Sequence, residues 1–504
     1  MKKTLLILIL LVITKINDGQ SLFKELNNNL DGNEIIAEVG TIKITSGEFF
    51  YSYEYGPAFY KKESGSKESL LKYMINEKLL ALSGYENNIL EEEETLSMVE
   101  DFTSDLATEE MFKDEILGKV HVSKNEIDTI INSKLIELEI KWLYSPDQNG
   151  AFSYLQSIKN GNSFDSLFIS QINDSVYLDM RMMNISAFDL MKKNPALYQI
   201  TDTLKAGNIS APIHTGDGWY IIKLNNITKN VITAESEHNK LEHEAKQAVT
   251  KFKMDELSDR YVDSLMKREN LIIKRDAFNV LLSYLGKYVL TDEKYNEWEL
   301  EEKLETALGN LGLSKSDEYP GIKLVTGDNQ SYNIDEFILW YRNRNLYIKF
   351  FKEDLISFSQ SLEKLVWRMV RDKLLTASAE RKGYFENERV VTQSNWWKDK
   401  IAYSAVKNKI TESIVLVNKE MNLSDKKSKT ELENLSEELS EKMFRKIQKL
   451  KNKYPVKINE DILKQVKVSQ INDKKAIELY TVKNSGLIPR PAYPIIDKDW
   501  ASWE

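Results

Sequence analysis

Two stretches in the first half of this chain each recur in the second half, in the same order, and this repeat constrains the fold more than any other feature. EFFYSY (residues 48–53) is matched by EFILWY (336–341), and MINEKLLALS (74–83) is matched by MVRDKLLTAS (369–378). In the second pair the apolar and charged positions keep step, as in amphipathic helices that pack in the same way. Chance similarity between amphipathic helices is the alternative, and it explains one such match more easily than several in order. The sequence therefore predicts a duplicated helical module.

A stretch of different character interrupts the first copy. In each copy a long charged helix ends in a short extended piece, LIIKRD within residues 230–285 and YPVKINED within 412–463. Residues 135–229 have no equivalent in the second copy. Inside that stretch ELEIKWLY and TGDGWYIIKL are typical of strands, and helical patterns lie between them, which suits one compact α+β domain. The predicted fold class is α+β: a mostly helical module, duplicated, with one inserted α+β domain.

The predicted division of the chain follows this order. It comprises a signal segment (1–20), an N-terminal helical module (21–134), the inserted domain (135–229), a long helix and strand that complete the first module (230–285), a second helical module (286–411), its long charged helix and strand (412–463) and a C-terminal tail (464–504). The tail ends in SGLIPRPAYPIIDKDWASWE, whose proline spacing forbids a helix. Disordered tails are rarely this aromatic, so we expect the tail to dock on the protein's own body rather than on a partner.

The N-terminus has the pattern of a targeting signal. Lys2 and Lys3 precede an apolar run from Leu5 to Ile13, and polar residues follow up to Gln20. This order is typical of a secretory signal, and the run is too short to span a bilayer; a buried first helix is the alternative. The chain contains no cysteine, which excludes disulfides and lipid attachment at an N-terminal cysteine. We expect an exported protein, periplasmic where the cell has an outer membrane, with no transmembrane span.

Composition and motifs argue against several other functions. The net charge of −9 over 504 residues, without a concentrated basic stripe, argues against nucleic acid as a partner. The sequence has no GxxxxGK[ST], HExxH or GxSxG motif. His238 and His243 lie five residues apart, which places them on different sides of a helix. We therefore expect neither a cofactor nor a metal.

Four stretches carry a resemblance to a known family. They are EIIAEVGTIKITSGEFF, LKYMINEKLLALSGYENNI, HVSKNEIDTIINS and LKAGNISAPIHTGDGWYIIKL. Through them the chain resembles the SurA-like and PrsA-like exported folding factors, in which a parvulin-type (rotamase, PpiC-type) peptidyl-prolyl isomerase domain is inserted between two halves of a helical chaperone module. The resemblance covers about residues 34–285, and the repeat extends its helical part to about residue 463. It implies that residues 135–229 form a parvulin-like domain.

The resemblance also indicates where a parvulin-type active site would lie. Lys141 stands at the position of the first-strand histidine, and Tyr220 at that of the last-strand histidine. Asp202 aligns with the pocket phenylalanine, and Asp174, within QINDS, with the polar cysteine or aspartate position. The family's Gly-Gly-Asp-Leu-Gly loop should fall near YLDMRMMNIS, which contains no glycine. The site is therefore a degenerate one, and Trp219, Tyr220 and Asp174 are the candidates for substrate binding.

The effect of these replacements depends on what prolyl isomerisation needs. The barrier to rotation about a peptide bond is about 18–20 kcal/mol. An enzyme lowers it with a dry pocket for the proline ring and with donors that favour the twisted amide. Loss of the histidines need not abolish this. A carboxylate at Asp202, however, is poorly tolerated in an apolar pocket, and loss of the loop glycines changes the backbone path. The sequence therefore predicts isomerase activity that is weak or lost.

Three functions stay open from the sequence. The leading hypothesis is a chaperone, or an accessory subunit of an outer-membrane assembly or secretion machine, that binds unfolded or partly folded polypeptides, outer-membrane proteins among them. Its candidate surfaces are the aromatic stretches 49–60 and 396–403, for which burial in the core is the alternative. The second is an active parvulin-type peptidyl-prolyl cis-trans isomerase with a divergent site. The third is a permanent structural subunit whose parvulin-like domain serves only for docking.

Overall fold

The chain forms two compact units. The computed structural model describes residues 19–56, 65–173, 175–215, 217–232, 234–314, 321–345, 348–421, 429–469, 481–482, 486–488, 492–501 and 503. The first unit is Met1–Lys119 together with Asp255–Glu504, and the second unit is Val120–Met254. The second unit contains the predicted insert and adds the helix before it and part of the helix after it.

Helices make up most of the described chain. Up to residue 119 the elements are α1 (Gly19–Leu26), β1 (Ile35–Val39), β2 (Ile42–Thr45), α2 (Ser46–Tyr55), α3 (Ser66–Glu86) and α4 (Glu93–Glu115). Then follow α5 (Lys124–Leu135), β3 (Ile136–Ser145), α6 (Gln148–Lys159), α7 (Phe164–Ser170), β4 (Met182–Ser186), α8 (Ala187–Lys193), α9 (Pro195–Asp202), β5 (Ile213–Thr215), β6 (Gly218–Lys229) and α10 (Glu235–Lys267). The last elements are β7 (Ile272–Ile273), α11 (Arg275–Val289), α12 (Asp292–Glu297), α13 (Leu300–Leu311), β8 (Lys323–Thr326), β9 (Ser331–Asn333), α14 (Ile334–Arg342), α15 (Leu355–Arg381), α16 (Glu388–Met421), α17 (Lys429–Lys453), β10 (Val456–Ile458), α18 (Glu460–Gln465), β11 (Thr481–Val482) and β12 (Gly486–Leu487). The predicted fold class, a mostly helical α+β protein, is confirmed.

The sequence repeat has a structural counterpart in the first unit. The hairpin β1–β2 leads into α2 and α3, and the hairpin β8–β9 leads into α14 and α15 in the same order. The two helix starts are capped differently: the first by the Thr45 side chain, the second by the carboxylate of the repeated glutamate, Glu336. The Thr45 hydroxyl accepts a hydrogen bond from the backbone of Glu48, and the backbone N–H of Asn333 donates to the carboxylate of Glu336 at 2.7 Å. The first hairpin turns at Gly40, whose φ of +56° favours glycine.

In the described part of the first unit, each three-stranded sheet takes one strand from the other copy. β10 pairs antiparallel with β1, with Ala37 opposite Ile458, in the order β10-β1-β2. β7 pairs antiparallel with β8, with Ile272 opposite Thr326, in the order β7-β8-β9. The prediction that the strand within 230–285 completes the first module is therefore wrong, because this strand completes the second. Edge pairing uses backbone groups, so the side chains of a short strand do not specify its partner.

The helices of the two copies interlock as well. α16 of the second copy packs against α3 and α4, α17 packs against α3, and α4 packs against α15. A single apolar cluster therefore draws on both copies, from Phe49 in α2 and Leu79 in α3 to Met443 in α17. Because the copies bury apolar surface against each other, we infer that neither would keep its core alone.

The aromatic stretches 49–60 and 396–403, predicted as binding surfaces, belong largely to this core. Their buried aromatic side chains are Phe49, Phe50, Tyr51, Tyr53, Trp396 and Tyr403. For these side chains the expectation of open surfaces is wrong and the alternative, burial, holds. The reason is the interlocking: α16 brings the second stretch against the first, and the rings of Tyr51 and Trp396 lie 6.0 Å apart. Residues 57–60 lie outside the described residues.

The second unit is an antiparallel sheet between two layers of helices. Its strand order is β4-β3-β6-β5, with β3 and β6 paired along most of their length. α8 and α9 cover one face, where Ile140 and Ile222 lie, and α6 and α7 cover the other, where Leu143 and Ile221 are buried. Alternate residues of a strand point to opposite faces. The position of a residue along β3 or β6 therefore decides which layer it meets.

The described end of the tail lies on the first unit. Trp500 is fully buried and Trp503 is 9% exposed, and both belong to the apolar cluster of that unit. The predicted docking of the tail on the protein's own body is therefore confirmed for its described residues, while Pro489 and Pro491 lie outside them. Within the described ranges no helix is long and apolar enough to cross a bilayer. Residues 1–18 of the predicted signal segment are outside those ranges.

Candidate peptide-binding site

A cavity of about 400 Å³ opens on the sheet of the second unit, on the face covered by α8 and α9. Its wall is mostly apolar and is built by strands of the sheet and by α9. The apolar residues of the wall include Ile140, Trp142, Leu197, Ile200, Ile213 and Ile222. The volume lies within the range of small-ligand pockets, and a small apolar ring against this wall would be shielded from water.

Polar groups at one side of the cavity converge on Asp217. The Tyr220 hydroxyl donates to Asp217 Oδ2 at 2.6 Å, and the Thr215 hydroxyl donates to Asp217 Oδ1 at 2.5 Å. The Tyr144 hydroxyl donates to the backbone carbonyl of Asp217 at 2.8 Å. The rings of Tyr144 and Tyr220 meet edge to face at 5.3 Å, and the Arg181 guanidinium lies 4.9 Å from the centre of the Tyr144 ring. A cluster of two tyrosines, an aspartate and an arginine therefore borders the apolar wall.

These contacts decide what each polar group can offer a ligand. Burial and the hydrogen bond to Asp217 raise the pKa of Tyr220 to about 12, and hydrogen bonds from Thr215 and Tyr220 lower the pKa of Asp217. At neutral pH Tyr220 is therefore a phenol whose proton is directed at Asp217, and its oxygen can only accept from a ligand. Arg181 differs, because its Nε is buried and has no hydrogen-bond partner among the described residues. An unpaired buried donor is unfavourable, and Arg181 belongs to the cavity wall.

Lys141, predicted at the first-strand histidine position, does not line this cavity. Its ammonium group lies 3.9 Å from a carboxylate oxygen of Asp165 and 5.6 Å from the centre of the Phe168 ring, on the side covered by α7. The residue of β3 opposite Tyr220 is Tyr144. Residues 141 and 144 differ in parity, so they point to opposite faces of the sheet. The placement of Lys141 in the pocket is therefore wrong.

Asp202, predicted at the pocket phenylalanine position, is exposed and is not part of the cavity wall. Helix α9 begins at the cap Asn194, whose side chain accepts from the backbone of Leu197 at 3.0 Å. Leu197 and Ile200, three residues apart, lie on the face that meets the cavity. Asp202 follows Leu197 by five residues and lies on a different side of the helix. The pocket thus keeps an apolar residue, and the expectation of a carboxylate inside it is wrong.

Trp219 and Asp174 complete the predicted site residues. The Trp219 ring lies 5.2 Å from His214 and 6.3 Å from Phe152, and Trp219 is not part of the cavity wall. The structure therefore separates Trp219 from its neighbour Tyr220, as the alternation of a strand requires. Asp174 lies outside the described residues. In the part of the chain that is described, no cluster of three His, Asp or Glu side chains could hold a metal ion.

The sequence did not single out Arg181 and Leu197, which line the cavity, or Tyr144, which contacts Asp217 and Tyr220 beside it. Arg181 lies in YLDMRMMNIS, the stretch in which the family's loop glycines are missing. A positively charged residue in that stretch could have indicated a binding residue. The position of Tyr144 beside Tyr220 depends on the register between β3 and β6, and the orientation of Leu197 depends on where α9 begins. Neither quantity can be read from residue types alone.

Gly218 closes the turn before β6, and its replacement should weaken the second unit. A Cβ at this position would lie 2.5 Å from a Tyr144 ring carbon and 2.8 Å from the Ser145 carbonyl oxygen, at a φ of +151°. We expect Gly218→Ala to lower the free energy of unfolding by about 3 kcal/mol. Gly161→Ala is the matched control, since Gly161 has a φ of +103° but open space around it. It should lose only about 1 kcal/mol. Equal losses in chemical denaturation would contradict the steric argument.

Comparison with known proteins gave matches among solved structures. No protein-family model matches the sequence, and no curated protein matches it. The chain is similar to the peptidylprolyl isomerase PrsA from Bacillus anthracis, with 13% identity, a TM-score of 0.21, and coverage of 42% of this chain and 73% of that one. The corresponding values are 17%, 0.17, 45% and 92% for PrsA from Bacillus subtilis, and 12%, 0.20, 55% and 93% for the foldase protein PrsA from Streptococcus pneumoniae. At these identities and TM-scores, conclusions about function rest on the site itself.

Proposed function

We propose that this protein is an exported folding factor that binds extended segments of unfolded or partly folded polypeptides, and that the cavity of the second unit takes a proline side chain. The observation that carries the proposal is the apolar cavity of about 400 Å³ with Arg181 and Tyr220 at its side. An Xaa-Pro segment presents a compact apolar ring next to peptide carbonyls, so it matches an apolar wall with one unpaired donor. The signal-like N-terminus supports export, to the periplasm where an outer membrane exists, with outer-membrane proteins among the clients.

We expect binding to dominate over catalysis. Isomerisation requires groups that favour the twisted amide over both planar forms. The chain has four histidines, none at the two positions that the family uses, and the Tyr220 proton is directed at Asp217 rather than at the cavity. This supports weak isomerase activity. An active isomerase is the second candidate, and the unpaired Nε of Arg181 favours it.

Substitutions in the cavity should weaken binding of a proline peptide. We expect Arg181→Met and Tyr220→Ala each to lower the affinity for an unstructured peptide with one Xaa-Pro bond about tenfold. Arg181→Met removes a hydrogen-bond donor and Tyr220→Ala removes an aromatic ring beside the cavity, and the loss of either contact costs roughly 1.4 kcal/mol of binding free energy. Titration of the labelled peptide into the full chain measures the effect. Lys141→Ala is the control, since Lys141 faces the other side of the sheet.

The same set of variants separates the candidates. If both cavity variants bind the peptide as tightly as the unchanged protein does, the cavity is not the site. Rapid isomerisation of the peptide by the unchanged protein, lost in Arg181→Met, would make catalysis the function. Stoichiometric co-purification with one partner, without peptide binding, would favour the structural-subunit alternative. Cell fractionation tests export.

A further inference from the structure

The described end of the chain lies in a groove of the first unit that has aromatic walls. Residues 492–497 form neither helix nor strand, and a single helical turn follows at Lys498–Ala501. The groove lies where α2 and α16 meet, so it depends on the interlocking of the two copies. The aromatic side chains of its walls include Tyr51, Tyr55, Trp396 and Trp397.

The outer half of the segment is held by ring stacking and by one backbone contact. The Tyr493 ring stacks on Tyr51 with centroids 4.4 Å apart and an interplanar angle of 7°, and it lies 4.8 Å from Tyr55. The Trp397 indole N–H donates to the Ala492 carbonyl at 3.1 Å. Groove side chains thus contact both the aromatic ring and the backbone of an extended segment, which is how grooves bind peptides.

The inner half is held by polar side chains of the groove, chiefly Glu77 and Lys407, and the Tyr403 hydroxyl also donates to Asp497 at 3.1 Å. Glu77 Oε1 accepts from the Trp500 indole N–H and from the Asp497 backbone N–H, both at 3.0 Å. Lys407 Nζ lies 2.5 Å from carboxylate oxygens of both Asp497 and Asp499. The groove therefore provides an acceptor for an indole and a cation for an acidic pair.

The internal repeat explains why the groove of the first copy has room for the Trp500 indole. In the second copy Trp340 is built into the helix and donates its indole N–H to Asp372 at 3.0 Å. The repeat aligns Trp340 with Ser52 and Asp372 with Glu77. Since Ser52 has no indole, the Glu77 carboxylate receives one from Trp500 instead. The tail thus supplies from outside the contact that the second copy makes by itself.

We propose that this groove is a second peptide-binding site, that its ligands are extended segments with an aromatic-proline pair followed by a tryptophan beside acidic residues, and that the C-terminal segment occupies it in cis. The segment fits incompletely: Ile495 is 36% exposed, and a cavity of about 20 Å³ remains between Pro494–Ile496 and Ser52. A segment held mainly by side-chain contacts can leave by local opening without unfolding the helices beneath it. The groove extends the proposed folding function to the first unit. This proposal stands even if the cavity of the second unit binds no peptide.

The test is competition between the chain's own segment and the same sequence supplied as a peptide. A fluorescently labelled peptide AYPIIDKDWASW, the sequence of residues 492–503, is titrated into the full chain. We expect Trp500→Ala to bind it at least about tenfold more tightly than the unchanged protein does, because the cis occupant no longer competes. A peptide with its first tryptophan replaced by alanine should lose this gain. Trp298→Ala, a partly exposed tryptophan elsewhere in the first unit, should show none.

Two further variants keep the result decisive. Because Trp500→Ala removes a fully buried side chain, Lys407→Ala provides a milder release through loss of its ion pairs. It should give a smaller gain in peptide binding. Because the peptide contains a proline, the double variant Trp500→Ala, Arg181→Met distinguishes the two sites. Binding kept in the double variant supports the groove, whereas binding lost there assigns the peptide to the second unit and overturns the groove proposal.

Hydrogen exchange on the unchanged protein gives an independent readout. Amides of residues 492–503 should exchange through local opening, faster than those of α3. If they exchange only with global unfolding, and neither folded variant gains peptide binding, the segment is a permanent part of the core and the proposal fails.

Discussion

Lys78→Met should destabilise the first unit by about 3–5 kcal/mol, because it leaves two carboxylates buried without their cation. Lys78 is 5% exposed, its ammonium group lies 2.7 Å from Asp399 Oδ2, and it also contacts the carboxylate of Glu48. Burial alone would lower the pKa of Lys78, but Asp399 and Glu48 outweigh it and hold this pKa above its ordinary value. Oε2 of Glu48 already has no hydrogen-bond partner among the described residues. Methionine fills a similar volume, so the effect measures the loss of charge.

A surface lysine provides the matched control for this substitution. Lys409 pairs with Glu92, but the two side chains are 54% and 47% exposed. Exposed ion pairs contribute about 0–1 kcal/mol, so Lys409→Met should change the free energy of unfolding by less than about 1 kcal/mol. Chemical denaturation followed by circular dichroism measures both variants. A loss for Lys78→Met as small as that for Lys409→Met would contradict the idea that the buried cluster holds the helices together.

Raising the pH from about 5.5 to about 8 should lower the stability of the first unit. A second, half-buried cluster resembles the one around Lys78: Arg344 lies 2.9 Å from carboxylate oxygens of Asp101 and Asp105. In each cluster two carboxylates share one cation. Burial raises the pKa of Glu48 and of Asp105 to about 7, although Lys78 and Arg344 oppose the shift.

The sign follows from proton binding in the two states. The ordinary pKa values are 4.5 for Glu48 and 3.8 for Asp105, so between these values and about 7 the folded protein holds more protons than the unfolded chain. The stability that these protons provide is complete below the ordinary pKa values and is lost as the pH rises through 7. Over this window each carboxyl contributes roughly 2 kcal/mol.

Neutral substitutions test the assignment. Glu48→Gln and Asp105→Asn should each flatten the fall in stability between about pH 5.5 and about pH 8, because neither residue can then ionise. Glu441→Gln, at a side chain that is 64% exposed, should leave the slope unchanged. Denaturation midpoints recorded across this range decide the question. A stability that stays constant or rises with pH over the window would refute it.

Much of the architecture follows from local patterns in the sequence. The repeated hairpin and helices, the alternation in ELEIKWLY and TGDGWYIIKL, and the aromatic character of the tail depend on neighbouring residues, and the structure contains the corresponding elements. The exchange of β7 and β10 between the copies does not depend on neighbours. It is an edge pairing of short strands through backbone groups, and either hairpin offers a suitable edge.

The candidate site divides in the same way. The turn before β6 and the apolar strands could be predicted; Tyr220 borders the cavity, and its role in substrate binding stays a prediction. Lys141 and Asp202 were misplaced because an aligned position gives no side-chain direction. One residue of parity turns a strand position to the other face, and a few residues along α9 turn a helix position out of the pocket.

The sequence by itself determined that this protein is a duplicated, mostly helical α+β chain with one inserted domain, because periodicity and repetition are local properties. Only the tertiary structure decided which groups meet: Arg181 with Tyr144, Lys78 with Glu48 and Asp399, and Trp500 of the tail with Glu77 in the groove. These contacts join residues far apart in the chain. They are set by strand register, helix rotation and the interlocking of the two copies, which residue order alone does not specify.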